Sequence, residues 1–166
     1  EGFTPGKGLT GADVCMHAGF GPIRTSQSAG SMVSEIGPRV NTHWLTGTAA
    51  PCISVFKPVW VDSGIPESVK APKEKFDGST LFWKHERLHR EVIKDYRSRI
   101  KVFGSQIQDL EAHFLIESIE ISKQDMRKRA TFSQECFTKA DQLEESILPR
   151  LKSLPIRHKN HFYYTM

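Results

Sequence analysis

The pentapeptide His85-Glu86-Arg87-Leu88-His89 fits the pattern H-E-x-x-H. On a helix, that spacing puts two imidazoles on one face, where they can hold a zinc ion with the glutamate as general base. A third ligand would have to come from elsewhere, and Glu111 or Glu117 are candidates. Two neighbours argue against this chemistry. Arg87 lies between the histidines and Arg90 follows them. Guanidinium groups repel a divalent cation and are costly to bury beside it. Glu86 and Arg90 are four apart, the spacing of an ion pair on a solvated helix surface. The segment is therefore read as the charged opening turns of a helix. No metal or other cofactor is expected, and a zinc peptidase through His85, Glu86 and His89 stands as the third reading.

Other residues could line a peptide site. Arg24, Thr25, Ser26 and Gln27 form one cluster, and Thr46, Gly47 and Thr48 form another. They offer a guanidinium fork, small hydroxyls, an amide and backbone N–H groups beside glycine. Such groups suit the wall of a peptide pocket or the support of an oxyanion site. The same types also serve turns and strand ends. Arg24 has the planar fork that suits a substrate carboxylate, whereas His17 is read as a structural histidine. Lys57, just before Pro58, is read as a rim charge without a role. The three cysteines, Cys15, Cys52 and Cys136, form no C-x-x-C pair, which argues against a zinc ribbon or a redox couple. They are expected as reduced thiols, and the protein is expected in the cytoplasm.

The formal net charge is +4. The densest basic run, Met126 to Ala130, is flanked by Glu120, Asp125 and Glu135. It reads as a solvated helix face, so no nucleic-acid partner is expected. No run of about 18 apolar residues occurs, so no membrane partner is expected either. No basic-then-apolar leader opens the chain, and its first residue is Glu1. A processed chain, or a piece of a longer one, is the expectation.

The elements that must position these groups fall into two halves. Residues 1–70 are rich in glycine, proline, serine and threonine, with short apolar runs between turn signals. The segments 28–36, 42–45 and 52–61 read as strands, with Pro58 at an edge because it cannot donate to a ladder. Residues 71–78 read as linker. From Ser79, the expected cap of the first helix, amphipathic helices run through 79–166. Tyr96, Ile100, Phe103, Ile107, Leu110 and Phe114 make one helical stripe that Gly104 can interrupt. A further helix is expected over 123–148, ending near Pro149, and the aromatic tail 158–166 is expected to dock on the body. The fold class is α+β, strands first and then long amphipathic helices, in one incomplete domain.

Three blocks in order carry a family likeness: "CMHAGFGPIRTSQSAGSMVSEI", "HWLTGTAAPCISVFKPVW" and "LFWKHERLHREVIKDY". From about Asp13 to Leu115 the chain resembles the dipeptidase and secernin family of cysteine N-terminal nucleophile hydrolases. The resemblance implies a four-layer αββα fold and hydrolysis of short peptides through an acyl-enzyme. It also implies an amino-terminal cysteine nucleophile whose own α-amine is the base. Here Cys15, Cys52 and Cys136 are all internal, so the nucleophile is expected upstream of this chain. The chain then reads as the carboxy-terminal part of such an enzyme. Its expected partners are the amino-terminal part of the same protein and a short peptide, with an oligomer left open. By this reading the isolated chain is inactive. A non-catalytic, secernin-like binding protein is the second reading.

Overall fold

The structure, a computed structural model, describes residues 26–156. The expected docking of the tail over 158–166 lies outside the described residues. Three short strands come first: β1 (Met32–Glu35), β2 (Thr42–Leu45) and β3 (Lys57–Val59). They form an antiparallel sheet in the order β1-β2-β3. Trp44 lies opposite Val33 on one side and Pro58 on the other. Pro58 thus sits on an edge strand, as its missing N–H requires. Four helices follow: α1 (Leu81–Val92), α2 (Tyr96–Arg99), α3 (Gly104–Ile121) and α4 (Met126–Lys152). The chain is α+β, a small sheet followed by helices, with no strand among the described residues after β3.

Several boundaries differ from expectation. Cys52 and Ile53 lie in a 3-10 turn, Pro51–Ile53, and only Lys57–Val59 of that run pairs as a strand. Pro51 suits the first position of such a turn, where its missing N–H costs nothing. The residue at the N-cap position of the first helix is Thr80, not Ser79, and its hydroxyl donates back to Asp77 O instead of capping the helix. Asp77 takes Ser79 away, because its carboxylate accepts the Ser79 N–H at 2.9 Å. The stripe from Tyr96 to Phe114 is divided among α2, a 3-10 turn and α3. The long helix opens at Gly104, and Tyr96 is left exposed. The last helix passes through Pro149 to Lys152. A proline inside a helix costs about 3 kcal/mol, but Ile147 and Leu151 on either side are fully buried. Burying two such side chains contributes about 3–6 kcal/mol, which carries the helix one turn further.

Both halves share one core. Trp44, Val55 and Trp60 from the strand region pack with Phe114 of α3 and with Phe132, Cys136 and Ala140 of α4. Further along α4, Ile147 and Leu151 join Ile53, Leu88, Val92 and Phe103. The α4 helix, about 40 Å long at 1.5 Å per residue, therefore backs both clusters. Ser133 pins it to the sheet by donating to the Pro58 carbonyl at 2.8 Å. Buried Arg99 closes the far end, donating to the Glu91 carbonyl and carboxylate and to the carbonyls of Leu154 and Pro155.

Candidate functional site

The loop after β2 carries Thr46, Gly47 and Thr48. It is held from two sides. On one side, Thr46 N–H donates to Ser31 O and Ala50 N–H donates to Ser28 O, both at 3.1 Å, while Thr46 Oγ1 accepts from Ser31 N–H at 2.9 Å. On the other side, Lys57 reaches in from β3. Its Nζ donates to Thr46 O at 2.8 Å and to Val55 O at 2.6 Å, and lies 5.3 Å from the centre of the Phe137 ring. Lys57 is 1 % exposed, so it is not the rim charge expected from its place before Pro58. Burial disfavours its ammonium and lowers its pKa to about 8, opposed by the carboxylates of Glu144 and Glu111 and by Cys136.

Glu144 extends this buried polar seam to α1. His85 Nδ1 and Glu144 Oε1 are 2.7 Å apart. With Nδ1 facing the carboxylate, Nε2 is the ring nitrogen left for another partner. Both His85 Nε2 and Glu144 Oε2 are buried without a hydrogen-bond partner among the described residues. A histidine oriented in this way by a carboxylate presents a base or a ligand nitrogen. One turn along α1, His89 Nδ1 lies 3.1 Å from Glu86 Oε2. Glu86 also accepts from Arg90 Nε at 3.1 Å and from Gln27 Nε2 at 3.3 Å. Burial pushes the Glu86 carboxyl up, but His89 and Arg90 outweigh burial and hold it below the usual range.

The H-E-x-x-H segment is thus a buried floor and not a solvated face. His85, Glu86 and His89 are 0 %, 5 % and 2 % exposed. The reason is the opposing helix: α1 packs along α4, and Glu144 on α4 meets the Nδ1 of the histidine that faces it. The Glu86–Arg90 pair does form, with only its arginine near the surface. The two carboxylates suggested as third ligands go elsewhere. Glu111 accepts the Phe56 N–H at 2.8 Å, and Glu117 pairs with His113 on the exposed side of α3. Among the described residues, no group of three or more His, Cys, Asp or Glu side chains gathers in a metal-binding arrangement.

Of the residues expected to line a peptide site, Arg24 and Thr25 lie outside the described residues. Ser26 is exposed, and Gln27 reaches the buried Glu86. Thr46 and Thr48 are buried, and Gly47 is exposed with φ +63°. Gly47 borders a solvent-open cleft of about 430 Å³, together with Pro66, Glu67, Lys70, Leu81 and Phe82. The structure therefore brings the Thr46–Thr48 loop and the start of α1 to one place, and it joins Gln27 to the same helix. Lys57 and Glu144 were missed as parts of this assembly. Lys57 carried a readable signal, an isolated cation between Val55 and Val59 in an apolar strand. Glu144 sits among several acidic residues of α4 and carried none.

Of the described cysteines, Cys52 is exposed and Cys136 is buried. Burial pushes the Cys136 thiol up to about 12, so it is not a thiolate at neutral pH. No described helix is long and apolar enough to cross a membrane. No protein-family model matches the chain, and no curated protein matches it.

Proposed function

We propose that this chain is the carboxy-terminal part of a cysteine dipeptidase-like amidohydrolase of αββα architecture. It would cleave short peptides through an acyl-enzyme, with the nucleophile carried by the amino-terminal part of the same protein. The observation that carries this reading is the Thr46–Gly47–Thr48 loop. It belongs to the most family-like block of the sequence, it borders a cleft, and buried Lys57 holds it from inside. A fixed loop of small residues with an exposed glycine is the kind of wall that orients a peptide for attack.

Two further features support the reading. Cys136 has the environment of a structural thiol and not of a nucleophile, so the attacking thiolate belongs elsewhere. The outer edge of β1 has no strand partner among the described residues, and Met32, Val33 and Ile36 are exposed there. Native proteins rarely leave an apolar edge strand bare. Strands from the amino-terminal part of the protein would extend the sheet at this edge. In the complete enzyme the cysteine thiol would give its proton to the α-amine of the same residue, the resulting thiolate would attack the scissile carbonyl, and the α-ammonium would return the proton to the amine that leaves as the C–N bond breaks. The residues of this chain bind and orient.

A second reading, a non-catalytic binding protein, is favoured by one observation: Leu115, Ile116 and Ile119 form an exposed apolar stripe on α3. Dipeptide hydrolysis separates the two. The complete protein, with an amino-terminal cysteine, should hydrolyse dipeptides and lose activity on thiol alkylation, and Arg24→Ala should raise KM. The isolated chain should be inactive. Turnover by the isolated chain, abolished by alkylation, would place the nucleophile among Cys15, Cys52 and Cys136. An inactive complete protein would favour the binding role.

A further inference from the structure

Lys57 orients two peptide groups at once. Its Nζ draws in the carbonyls of Thr46 and Val55, at 2.8 and 2.6 Å. In a trans peptide, the carbonyl and the following N–H point in opposite directions, and no described peptide bond is cis. The Phe56 N–H must then point away from Lys57, and it does: it donates to the Glu111 carboxylate at 2.8 Å. The Thr46–Gly47 peptide has the same relation to the lysine. Its N–H, on Gly47, must also point away from Lys57, and Gly47 is exposed and borders the cleft. Among the described residues no hydrogen bond occupies this N–H.

We propose that the Gly47 N–H, oriented by Lys57, receives the carboxylate of a short zwitterionic peptide bound in the cleft. The choice of a carboxylate rests on three features. The sister N–H on Phe56 already receives one from Glu111. Lys70 borders the same cleft and supplies a cation near the surface. A buried ammonium pulling on the Thr46 carbonyl polarises the peptide group and makes its N–H a stronger donor. Glu67, also on the cleft border, can face the ammonium of the same peptide, and Leu81 and Phe82 offer apolar contact for a side chain. The lysine is a positioning residue, since it acts on the ligand only through the peptide group it holds. It keeps this role when it titrates, because a neutral amine still has two N–H donors for the two carbonyls.

This inference rests on the dipeptidase reading and deepens it by naming the group that receives the substrate carboxylate. It is tested by binding, without turnover. The ¹⁵N-labelled chain is titrated with alanylalanine and, separately, with alanylalanine amide, while the Gly47 amide signal is followed. The expected result is a saturable downfield proton shift of Gly47 with the free acid, and a shift at least several-fold weaker with the amide. Lys57→Met, which has no donors, should weaken binding by about tenfold, the worth of a charge-assisted hydrogen bond. Lys57→Arg should recover part of it. A Gly47 signal that moves with neither ligand, or equally with both, would overturn the proposal. The titration of the unaltered chain decides this even if Lys57→Met fails to fold. A peptide-binding chain from a complete protein without hydrolase activity would leave the Gly47 site standing and remove the dipeptidase reading.

Discussion

Replacing Lys57 by methionine removes the buried ammonium of the seam at nearly constant volume, and the pH dependence of stability should change in a calculable way. In the folded protein, burial lowers the Lys57 pKa from 10.5 to about 8. The unfolded chain keeps the ordinary value. Between these two pH values the unfolded state binds more protons than the folded one. Stability contributed by Lys57 therefore rises as pH rises across that window and is flat below it. Every pH unit that separates the folded from the unfolded pKa is worth about 1.4 kcal/mol, so the rise amounts to about 3 kcal/mol. The ionisable groups facing Lys57 are Glu144 and Cys136 on α4 and Glu111 on α3. Cys136, pushed up to about 12, stays protonated throughout the window. Urea unfolding at a series of pH values from about 7.5 to about 10.5, followed through buried Trp44 and Trp60, measures the effect. The stability of the unaltered chain minus that of Lys57→Met should grow by about 3 kcal/mol over the window. At neutral pH the variant leaves the Thr46 and Val55 carbonyls without their donor, at about 1–3 kcal/mol each. Parallel pH profiles for the two proteins would refute the burial argument, because they would mean that the Lys57 ammonium is as well solvated when folded as when unfolded.

Three further outcomes are expected. In the native chain a thiol reagent should modify exposed Cys52, while Cys136 should react only on unfolding; mass spectrometry of the alkylated peptides reads this, and equal rates would refute it. Arg99→Met should lower unfolding stability by about 1–3 kcal/mol, because it removes the donor to the Leu154 and Pro155 carbonyls just past α4, while the Glu91 carboxylate keeps Lys94 as its partner; no measurable loss in urea unfolding would show those carbonyls solvated. Chain equilibrated with zinc and then dialysed should retain well under one equivalent by elemental analysis, since Glu111 and Glu117 are engaged away from His85; stoichiometric retention would restore the H-E-x-x-H motif as a metal site.

Local patterns in the sequence determined the order of elements. Glycine and proline up to residue 78, and their scarcity beyond it, separate strands from helices, because both residues disrupt the helical ladder. The run Thr42–Leu45 is a strand as expected, and Pro58 lies at an edge because its missing N–H allows nothing else. The break at Gly104 was legible as an option, and packing chose it: Phe103 and Phe114 go to the core while Tyr96 stays outside. Burial of the charged residues was decided only by tertiary structure. Arg87 and Arg90 made the segment from His85 to His89 look solvated, yet α4 covers its inner face and supplies Glu144 to His85. No local pattern in the sequence encodes that partner, which lies 59 residues away. The same holds for Lys57, whose fate depends on the Thr46 carbonyl folding back onto β3. Periodicity reports which face of an element is apolar. Which buried charge meets which acceptor depends on contacts between elements far apart in the chain, and a buried charge is stable only where those contacts are complete.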